Sequence, residues 1–410
     1  MSLRMKWTFA ACFAVLLSFY LYSCLKVGND FWTFHDIGIF ALQRADIYAA
    51  SPTTGMYVFY LPHFSLLMMP FGILPVDFAA IIWFALKIAS LYLFFKFVRS
   101  RLDPEQKKSF WIALVPMLLL VNPLNSDFRL GQVNLFVHLA LVASYFALTQ
   151  SRRVLAAFLF VIACIKVTPL IFLGFFVLKR EFRFLGWCVA WFLGFLGLLG
   201  FWFGVGATEQ ILLNWWSVSS REKLGLEALA YFENQAFLGL FARLAQSFPD
   251  LPLFSGAVHV GPVILPAFKA WAYGLSAVCL GAACAPWVFM RRFLRSDALS
   301  WELLYALFFV LMLLASPDTR NAHLIHLLFP VMILWQLFYL KTAFARLSRL
   351  ALGVSCLGLI LTSRDILGVE LNRAFREHSH QTIILLFVFA SFLWFMWKQV
   401  RVSGSPQNNL

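Results

Sequence analysis

Two carboxylates lie near the start of the chain, in Asn29-Asp30-Phe31-Trp32-Thr33-Phe34-His35-Asp36, directly after the first long apolar segment. An acid placed where a membrane helix meets water is costly, so this position indicates a functional site. One such carboxylate could act as a general base. Because Asp30 and Asp36 do not fall on one helix face, a single base is the simpler interpretation. The structural alternative is that Asp30 caps a surface helix.

Lys166 is the second candidate, because it stands between Ile165 and Val167 in an apolar run with no other charge. A lone ammonium inside a membrane segment costs about 3 kcal/mol on insertion scales, so it must meet an anion, line water or lose its proton. A phosphate is the expected functional partner, since Lys serves as a compact point charge. A lysine that snorkels to the interface or has a structural role is the alternative.

Gly131 and Gln132 begin an otherwise apolar helix, which is an unusual place for a glycine and an amide. They follow Asp127 and Arg129, which an ordinary polar turn with a local ion pair would explain. The glycine and the glutamine are harder to attribute to a turn, so Gln132 is a candidate site residue.

Two polar stretches come later in the chain. Glu233-Asn234-Gln235 follows aromatic residues and suits an amphipathic helix at the membrane interface, or else part of a polar site. In the stretch from Ser316 to His326, His323 and His326 are spaced i, i+3, which places them on the same side of a new helix. Two ligands are too few for a metal, so we expect no metal. A histidine pair equally suits substrate contact, a proton relay or a structural role.

The composition indicates which elements position these residues. Of 410 residues, 62% are hydrophobic and only 13% are charged. Several runs reach the length of about 20 apolar residues that crosses a bilayer core: Phe9–Val27, Ala79–Phe97, Phe184–Val205 and Thr382–Trp397. We predict an all-α, polytopic transmembrane helical bundle of about 10–12 membrane segments. It forms a single domain over residues 1–400, with a disordered tail over residues 401–410.

Two segments, Tyr57–Pro75 and Val154–Leu178, would have to leave and return on one side of the membrane. Both contain proline: Pro62, Pro70 and Pro75 in the first, and Pro169 in the second. We therefore predict broken or re-entrant helices there, which are tolerated where they line a protein cavity.

The net charge of +14 reports topology rather than nucleic-acid binding, because Lys and Arg occur in short clusters between apolar runs. The positive-inside rule places both termini in the cytoplasm and the polar motifs on the extracytoplasmic face. The seven cysteines lie almost wholly within apolar runs without metal or redox spacing. Walker, GxGxxG, HExxH and GxSxG motifs are absent, so nucleotide-driven pumping, Rossmann redox chemistry and zinc proteolysis have no support. We expect no cofactor.

The order of the motifs resembles glycosyltransferase family 87. The resemblance rests on an acid after the first helix, on Ala45-Asp46-Ile47-Tyr48, on Tyr60-Leu61-Pro62-His63-Phe64 and on Met69-Pro70-Phe71-Gly72. It continues in Gly131-Gln132-Val133-Asn134, Ile165-Lys166-Val167-Thr168-Pro169, Glu233-Asn234-Gln235-Ala236 and Ser316-Pro317 with the two histidines. Two features depart from the family pattern: its adjacent histidines are here separated, and its glycine before Asp-Ile-Tyr is replaced by Arg44-Ala45.

The resemblance implies a fold of GT-C type, which takes a sugar from a polyprenyl-phosphate carrier at the extracytoplasmic face. Known members suggest mannose, a lipid or glycan acceptor, and a bacterial inner membrane. It also implies an inverting displacement with Asp30 as base and Asp36 as the second choice. The expected substrate-binding residues are Lys166, Gln132, Asn134, Asn234, Gln235, Arg320, His323 and His326. The remaining alternative is a transporter or lipid flippase without transferase chemistry, with Lys166 at a midplane site.

Overall fold

The computed structural model describes residues 29–100, 111–219, 226–251, 253–254, 256–260, 263–294, 298–339 and 345–403, together with residues 18, 22 and 25. The first predicted span, Phe9–Val27, therefore lies almost entirely outside the described residues. So do residues 404–410 of the predicted tail, whereas residues 401–403 belong to the last helix.

Almost all regular structure in the described part of the chain is helical. The described α-helices are α1 Asp30–Leu42, α2 His63–Gly72, α3 Val76–Ser100, α4 Trp111–Leu119, α5 Val121–Arg129, α6 Asn134–Thr149, α7 Arg153–Ala163, α8 Phe172–Leu178, α9 Phe182–Phe203, α10 Val205–Ser219, α11 Leu226–Leu229, α12 Phe237–Ser247, α13 Ala267–Leu294, α14 Ala298–Ala315, α15 Leu328–Tyr339, α16 Ala345–Cys356, α17 Arg364–Glu377 and α18 His380–Ser403. Short 3₁₀ helices cover Thr168–Ile171 and Asn321–Leu327, and a π-helical turn covers Leu357–Leu361. One antiparallel hairpin pairs β1 Ala257–Val260 with β2 Val263–Pro266.

Within the described part of the chain, five helices are long and apolar enough to cross a membrane. The number rises to seven if each of two bent helix pairs forms one span, and three shorter apolar helices accompany them. Three predicted spans appear with slightly different bounds, in α3, α9 and α18. The prediction of an all-α, multi-pass helical bundle is confirmed.

Some local predictions need correction. The stretch Asn29–Met56, which the hydropathy pattern predicts as a loop, is not a loop throughout, because α1 covers Asp30–Leu42. Pro70 lies inside α2 rather than breaking it, while Pro62 precedes that helix. The predicted interruption near Lys166 is present: α7 ends at Ala163 and a 3₁₀ helix starts at Thr168.

The chain divides into two compact units, each assembled from separate stretches of sequence. The first contains Met1–Arg101, Leu124–Val167 and Arg183–Arg221, and the second contains Leu102–Pro123, Thr168–Phe182 and Glu222–Leu410.

In the first unit, α1 and α2 approach each other backbone to backbone. A Cβ at Gly38 would lie 2.3 Å from the Met68 carbonyl oxygen, and one at Gly72 would lie 2.5 Å from the Gly38 carbonyl carbon. Glycine at both positions allows this approach, which small residues permit between membrane helices. An aromatic cluster then packs around the helix pair, formed by Phe31, Phe34, Tyr60, Phe64, Phe71 and Trp83.

In the second unit, a buried arginine holds a turn and a helix start together. The Arg243 guanidinium donates from Nη1 to the main-chain oxygens of Tyr231, at 3.2 Å, and Asn234, at 2.8 Å. Its Nε and Nη2 donate to Ser379 Oγ at 3.0 and 2.7 Å. Burial lowers the pKa of this guanidinium to about 10, against a smaller opposite effect of the Glu377 charge. Arg243 therefore stays charged at neutral pH.

We expect Arg243→Met to destabilise the protein by about 2 kcal/mol, because it leaves buried acceptors without donors. Arg373→Met is the matched control, since the Arg373 side chain is 57% exposed and pairs with Glu377 at the surface. Such exposed pairs contribute about 0–1 kcal/mol. Melting temperatures of the purified protein in detergent compare the two variants. Equal melting temperatures would show that the Arg243 bonds do not stabilise this unit.

Candidate active site

Asp30 lies in the first turn of α1 and is half-buried. The helix is capped by its neighbour, because Asn29 Oδ1 accepts from the main-chain N–H of Trp32 at 3.4 Å. The main-chain N–H of Asp30 donates to the Leu130 oxygen at 2.9 Å. The Asp30 carboxylate is therefore not needed as the helix cap, and it stands where the helix dipole favours a negative charge.

Gln132 contacts this carboxylate from another part of the first unit. Its Nε2 donates to Asp30 Oδ2, and its Oε1 accepts from the Tyr60 hydroxyl at 3.1 Å. Burial raises the pKa of Tyr60 well above its ordinary value, and the negative charges of Asp30 and Asp127 raise it further. Tyr60 therefore remains a hydroxyl donor, which fixes the direction of the Gln132 amide.

A sharp break in the chain brings Gln132 to Asp30. Helices α5 and α6 meet at an angle of 117°, with Gln132 between them. Gly131 adopts φ +64°, and a Cβ there would lie 2.8 Å from the Phe31 Cβ. Trp83 Nε1 donates to the Gly131 oxygen at 2.9 Å. The break needs glycine both for its left-handed backbone and for its closeness to α1.

Lys166 belongs to the same network and is half-buried. Its Nζ donates to Asn134 Oδ1 at 2.5 Å and lies 5.2 Å from the centroid of the Tyr60 ring. The two segments are tied by a main-chain bond of 2.8 Å from the Leu61 N–H to the Ile165 oxygen. The Tyr60 main-chain oxygen also accepts from the Tyr48 hydroxyl at 2.7 Å.

A buried ion pair that was not predicted from the sequence lies beside this network. Lys87 Nζ lies 2.7 Å from Asp127 Oδ2, and both side chains are fully buried. The same ammonium donates to the Asp127 main-chain oxygen at 2.6 Å. Asp127 was expected to pair locally with Arg129, but Arg129 is exposed. Lys87 lies in the apolar stretch of α3 between Asp77 and Lys96, and a charge among apolar residues is the signal that identified Lys166.

Asp36 has a different environment from Asp30. It is buried and accepts from Ser51 Oγ at 2.5 Å, from Thr53 Oγ1 at 3.2 Å and from the Thr53 N–H at 3.3 Å. Thr33 and Thr54 share a further hydrogen bond of 2.7 Å. The Asp36 carboxylate thus anchors the loop after α1 onto the helix.

Asn234 and Gln235 lie in a turn of the second unit, between α11 and α12, and not in the helix expected from sequence. Asn234 Nδ2 donates to the oxygens of Leu229 and Pro317 at 3.2 and 3.1 Å. Gln235 Nε2 donates to the oxygens of Phe232 and Arg376 at 2.7 and 2.9 Å. These bonds give both amides a structural task, whereas their substrate-binding role stays a prediction.

Arg320 and the two histidines also belong to the second unit. Arg320 is half-exposed and pairs with Asp318 at 3.0 Å. Its main-chain N–H donates to His323 Nδ1 at 3.0 Å. Both histidines lie on a 3₁₀ helix rather than an α-helix, and its three residues per turn place them on one side. His326 is buried and stacks against Phe309 at 6.4 Å.

No described group of three or more His, Cys, Asp or Glu side chains is placed to hold a metal ion. Four of the five predicted site residues of the first unit come together in one network: Asp30, Gln132, Asn134 and Lys166. The fifth, Asp36, binds the loop after α1 instead.

The fold and this network define a multi-pass helical membrane protein that holds a carboxylate and an ammonium in polar surroundings at interrupted helices. The family model of glycosyltransferase family 87 matches residues 57–317, well over half of the chain. The chain belongs to glycosyltransferase family 87. Searches of the curated proteins and of the solved structures gave no match. The matched region includes Gln132, Asn134 and Lys166 but begins after Asp30 and ends before Arg320.

We expect Gly131→Ala to lower the melting temperature, because it combines left-handed backbone strain with overlap against Phe31. The strain costs about 1–2 kcal/mol and the overlap about 1–3 kcal/mol more. Gly55→Ala is the matched control, since Gly55 has φ +70° but no atom within 4 Å of an added Cβ. If both variants lose the same stability, close packing at Gly131 does not hold the break.

Proposed function

We propose that this glycosyltransferase moves a hexose from a polyprenyl-phosphate-linked donor to a hydroxyl of a lipid or glycan acceptor. The proposed sugar is mannose, and the proposed site of reaction is the extracytoplasmic face of a bacterial inner membrane. The observation that carries the proposal is the joint placement of Asp30 and Lys166 in one network of a family 87 chain. A GT-C architecture is part of the same proposal.

The proposed reaction is a single inverting displacement. The acceptor oxygen forms a bond to the anomeric carbon while the bond from that carbon to the phosphate oxygen breaks. Asp30 accepts the hydroxyl proton as the oxygen attacks. The Gln132 amide donates to the Asp30 carboxylate and orients it toward the acceptor. Polyprenyl phosphate leaves with the electron pair of the broken bond.

Lys166 is the proposed cation for the departing phosphate. Charge that develops on a leaving group is stabilised most by groups already in place before the reaction. Asn134 holds the Lys166 ammonium by a bond of 2.5 Å, and the Tyr60 ring lies beside it. These contacts reduce the freedom of a long side chain, so little reorganisation is needed when the phosphate binds.

The remaining predicted residues keep proposed roles of two kinds. Asp36 positions the loop that follows α1, through its three accepted hydrogen bonds.

Asn234 and Gln235 shape the turn of the second unit, in addition to the substrate contact expected for them. Arg320 keeps its proposed substrate contact, with a side chain that is 53% exposed and pairs with Asp318. His323 and His326 are proposed substrate contacts on the same 3₁₀ helix. The family membership favours transfer over the transporter alternative.

Asp30→Asn is expected to reduce transfer by at least about 100-fold, the lower range for losing a general base. Transfer is measured in proteoliposomes with radiolabelled polyprenyl-phosphate mannose and a membrane extract as the acceptor source. Asp77→Asn is the matched control, because Asp77 is an exposed carboxylate in the first turn of α3. Asp36→Asn is expected to retain more activity than Asp30→Asn.

Two outcomes would contradict this assignment. Transfer by Asp30→Asn at the wild-type rate would exclude Asp30 as the base. A wild-type protein that transfers from no lipid-linked donor but moves the donor across the bilayer would support the transporter alternative.

The proposed orientation predicts that the loop after α1 faces the outside. Tyr57 is 53% exposed in this loop, so Tyr57→Cys is expected to react with a membrane-impermeant maleimide in intact spheroplasts. Arg180→Cys, between α8 and α9 on the expected cytoplasmic side, is expected to react only after permeabilisation. The unsubstituted chain gives the background from native cysteines. The reverse labelling pattern would place the network on the cytoplasmic face.

A further inference from the structure

The ion pair between Lys87 and Asp127 lies next to the groups that hold Lys166. The Asn134 side chain also lies close enough to the Asp127 carboxyl group to favour its ionised form. An ionised carboxylate only accepts hydrogen bonds, so the Nδ2 end of the Asn134 amide faces Asp127. The Oδ1 end then accepts from Lys166 Nζ at 2.5 Å. A single amide therefore connects the buried ion pair to Lys166.

Two ammonium groups act on the same buried carboxylate. Lys87 lies 2.7 Å from Asp127 and is its stronger partner, while the charge of Lys166 acts on it more weakly. A buried carboxylate without a partner costs several kcal/mol, so it attracts any cation within reach. Without Lys87, the nearest remaining cation of this network would be Lys166.

We infer that Lys87 is a positioning residue for donor binding: by neutralising Asp127, it leaves the charge of Lys166 to the phosphate of the donor. The inference rests on the proposed function and extends it to a residue that touches no substrate. The formal charges of Lys87, Asp127, Asp30 and Lys166 sum to zero. Without the Lys87 ammonium, the buried Asp127 carboxyl group competes with the donor phosphate for Lys166, which weakens the binding of an anionic donor.

The test is a set of charge variants of the full chain in nanodiscs. Lys87→Met is expected to raise the KM for polyprenyl-phosphate mannose by about 10-fold or more, with a smaller change in kcat. Lys87→Met/Asp127→Asn removes both charges and is expected to restore the KM to within about 3-fold of wild type. A merely structural loss would lower the amount of folded enzyme and the kcat, whereas the proposed effect raises the donor KM in preference to changing kcat.

The single variant Lys87→Met leaves a buried charge uncompensated and could fail to fold. In that case Asp127→Asn alone keeps the proposal testable, because Lys166 retains its charge and the donor KM is not expected to rise. A folded Lys87→Met variant with wild-type KM would overturn the inference. So would a double variant whose KM remains as high as that of Lys87→Met, or a raised KM in Asp127→Asn.

Binding of radiolabelled polyprenyl phosphate, measured without an acceptor, separates this inference from the proposed function. If the wild type binds the lipid phosphate with the expected dependence on Lys87 and Lys166 but transfers no sugar, the transfer assignment fails and the inference stands. If transfer occurs and neither binding nor KM responds to Lys87→Met, the inference fails and the transfer assignment stands.

Discussion

The candidate site depends on the break in the chain at Gly131, where α5 and α6 meet at 117°. In a continuous helix the main-chain groups bond to one another. At this break, the main-chain oxygen of Gly131 instead accepts from Trp83, and the Gln132 side-chain amide donates to Asp30. Non-helical backbone at membrane depth is stable only where protein or water satisfies it. Here the first turn of α1 does so, since the Asp30 N–H donates to the Leu130 oxygen at 2.9 Å. The same contact that satisfies the break also fixes the proposed base.

The sequence identified most of this network by one physical rule, the cost of polar groups in an apolar chain. Asp30, Gln132 and Lys166 each stood out as polar residues next to apolar runs, and the structure joins them. The rule also applied to Lys87, which was overlooked inside a run of good spanning length. Asp127 was paired with its neighbour Arg129 because local sequence offers only near partners. Its real partner is 40 residues away, and only the folded structure, in which Lys87 of α3 meets Asp127 of α5, reveals it.

Other differences between expectation and structure have similar causes. Helix type and helix ends depend on tertiary contacts that a hydropathy pattern does not contain. The run around Glu233 looked like an interfacial helix, but Arg243 and the oxygen of Thr319 hold it as a turn. His323 and His326 share one side as predicted, yet on a 3₁₀ helix whose start is capped by an interaction between Arg320 and His323. The roles of these second-unit residues in catalysis remain proposals that the family match at residues 57–317 only partly covers.

The charged side chains of the first unit are connected by two neutral amides, those of Gln132 and Asn134, and the chemistry of an amide suits this position. Gln132 offers its nitrogen to Asp30 and its oxygen to the Tyr60 hydroxyl. Asn134 offers its oxygen to Lys166, with its nitrogen end toward Asp127. An acid at position 134 would neutralise Lys166, and an acid at position 132 would repel Asp30 and lose a donor. An amide has one donor end and one acceptor end, so it can orient two neighbouring groups without adding a charge. The network can therefore orient a base and a cation without adding charge that the membrane must accommodate. Lys87 completes this balance of charges by offsetting Asp127.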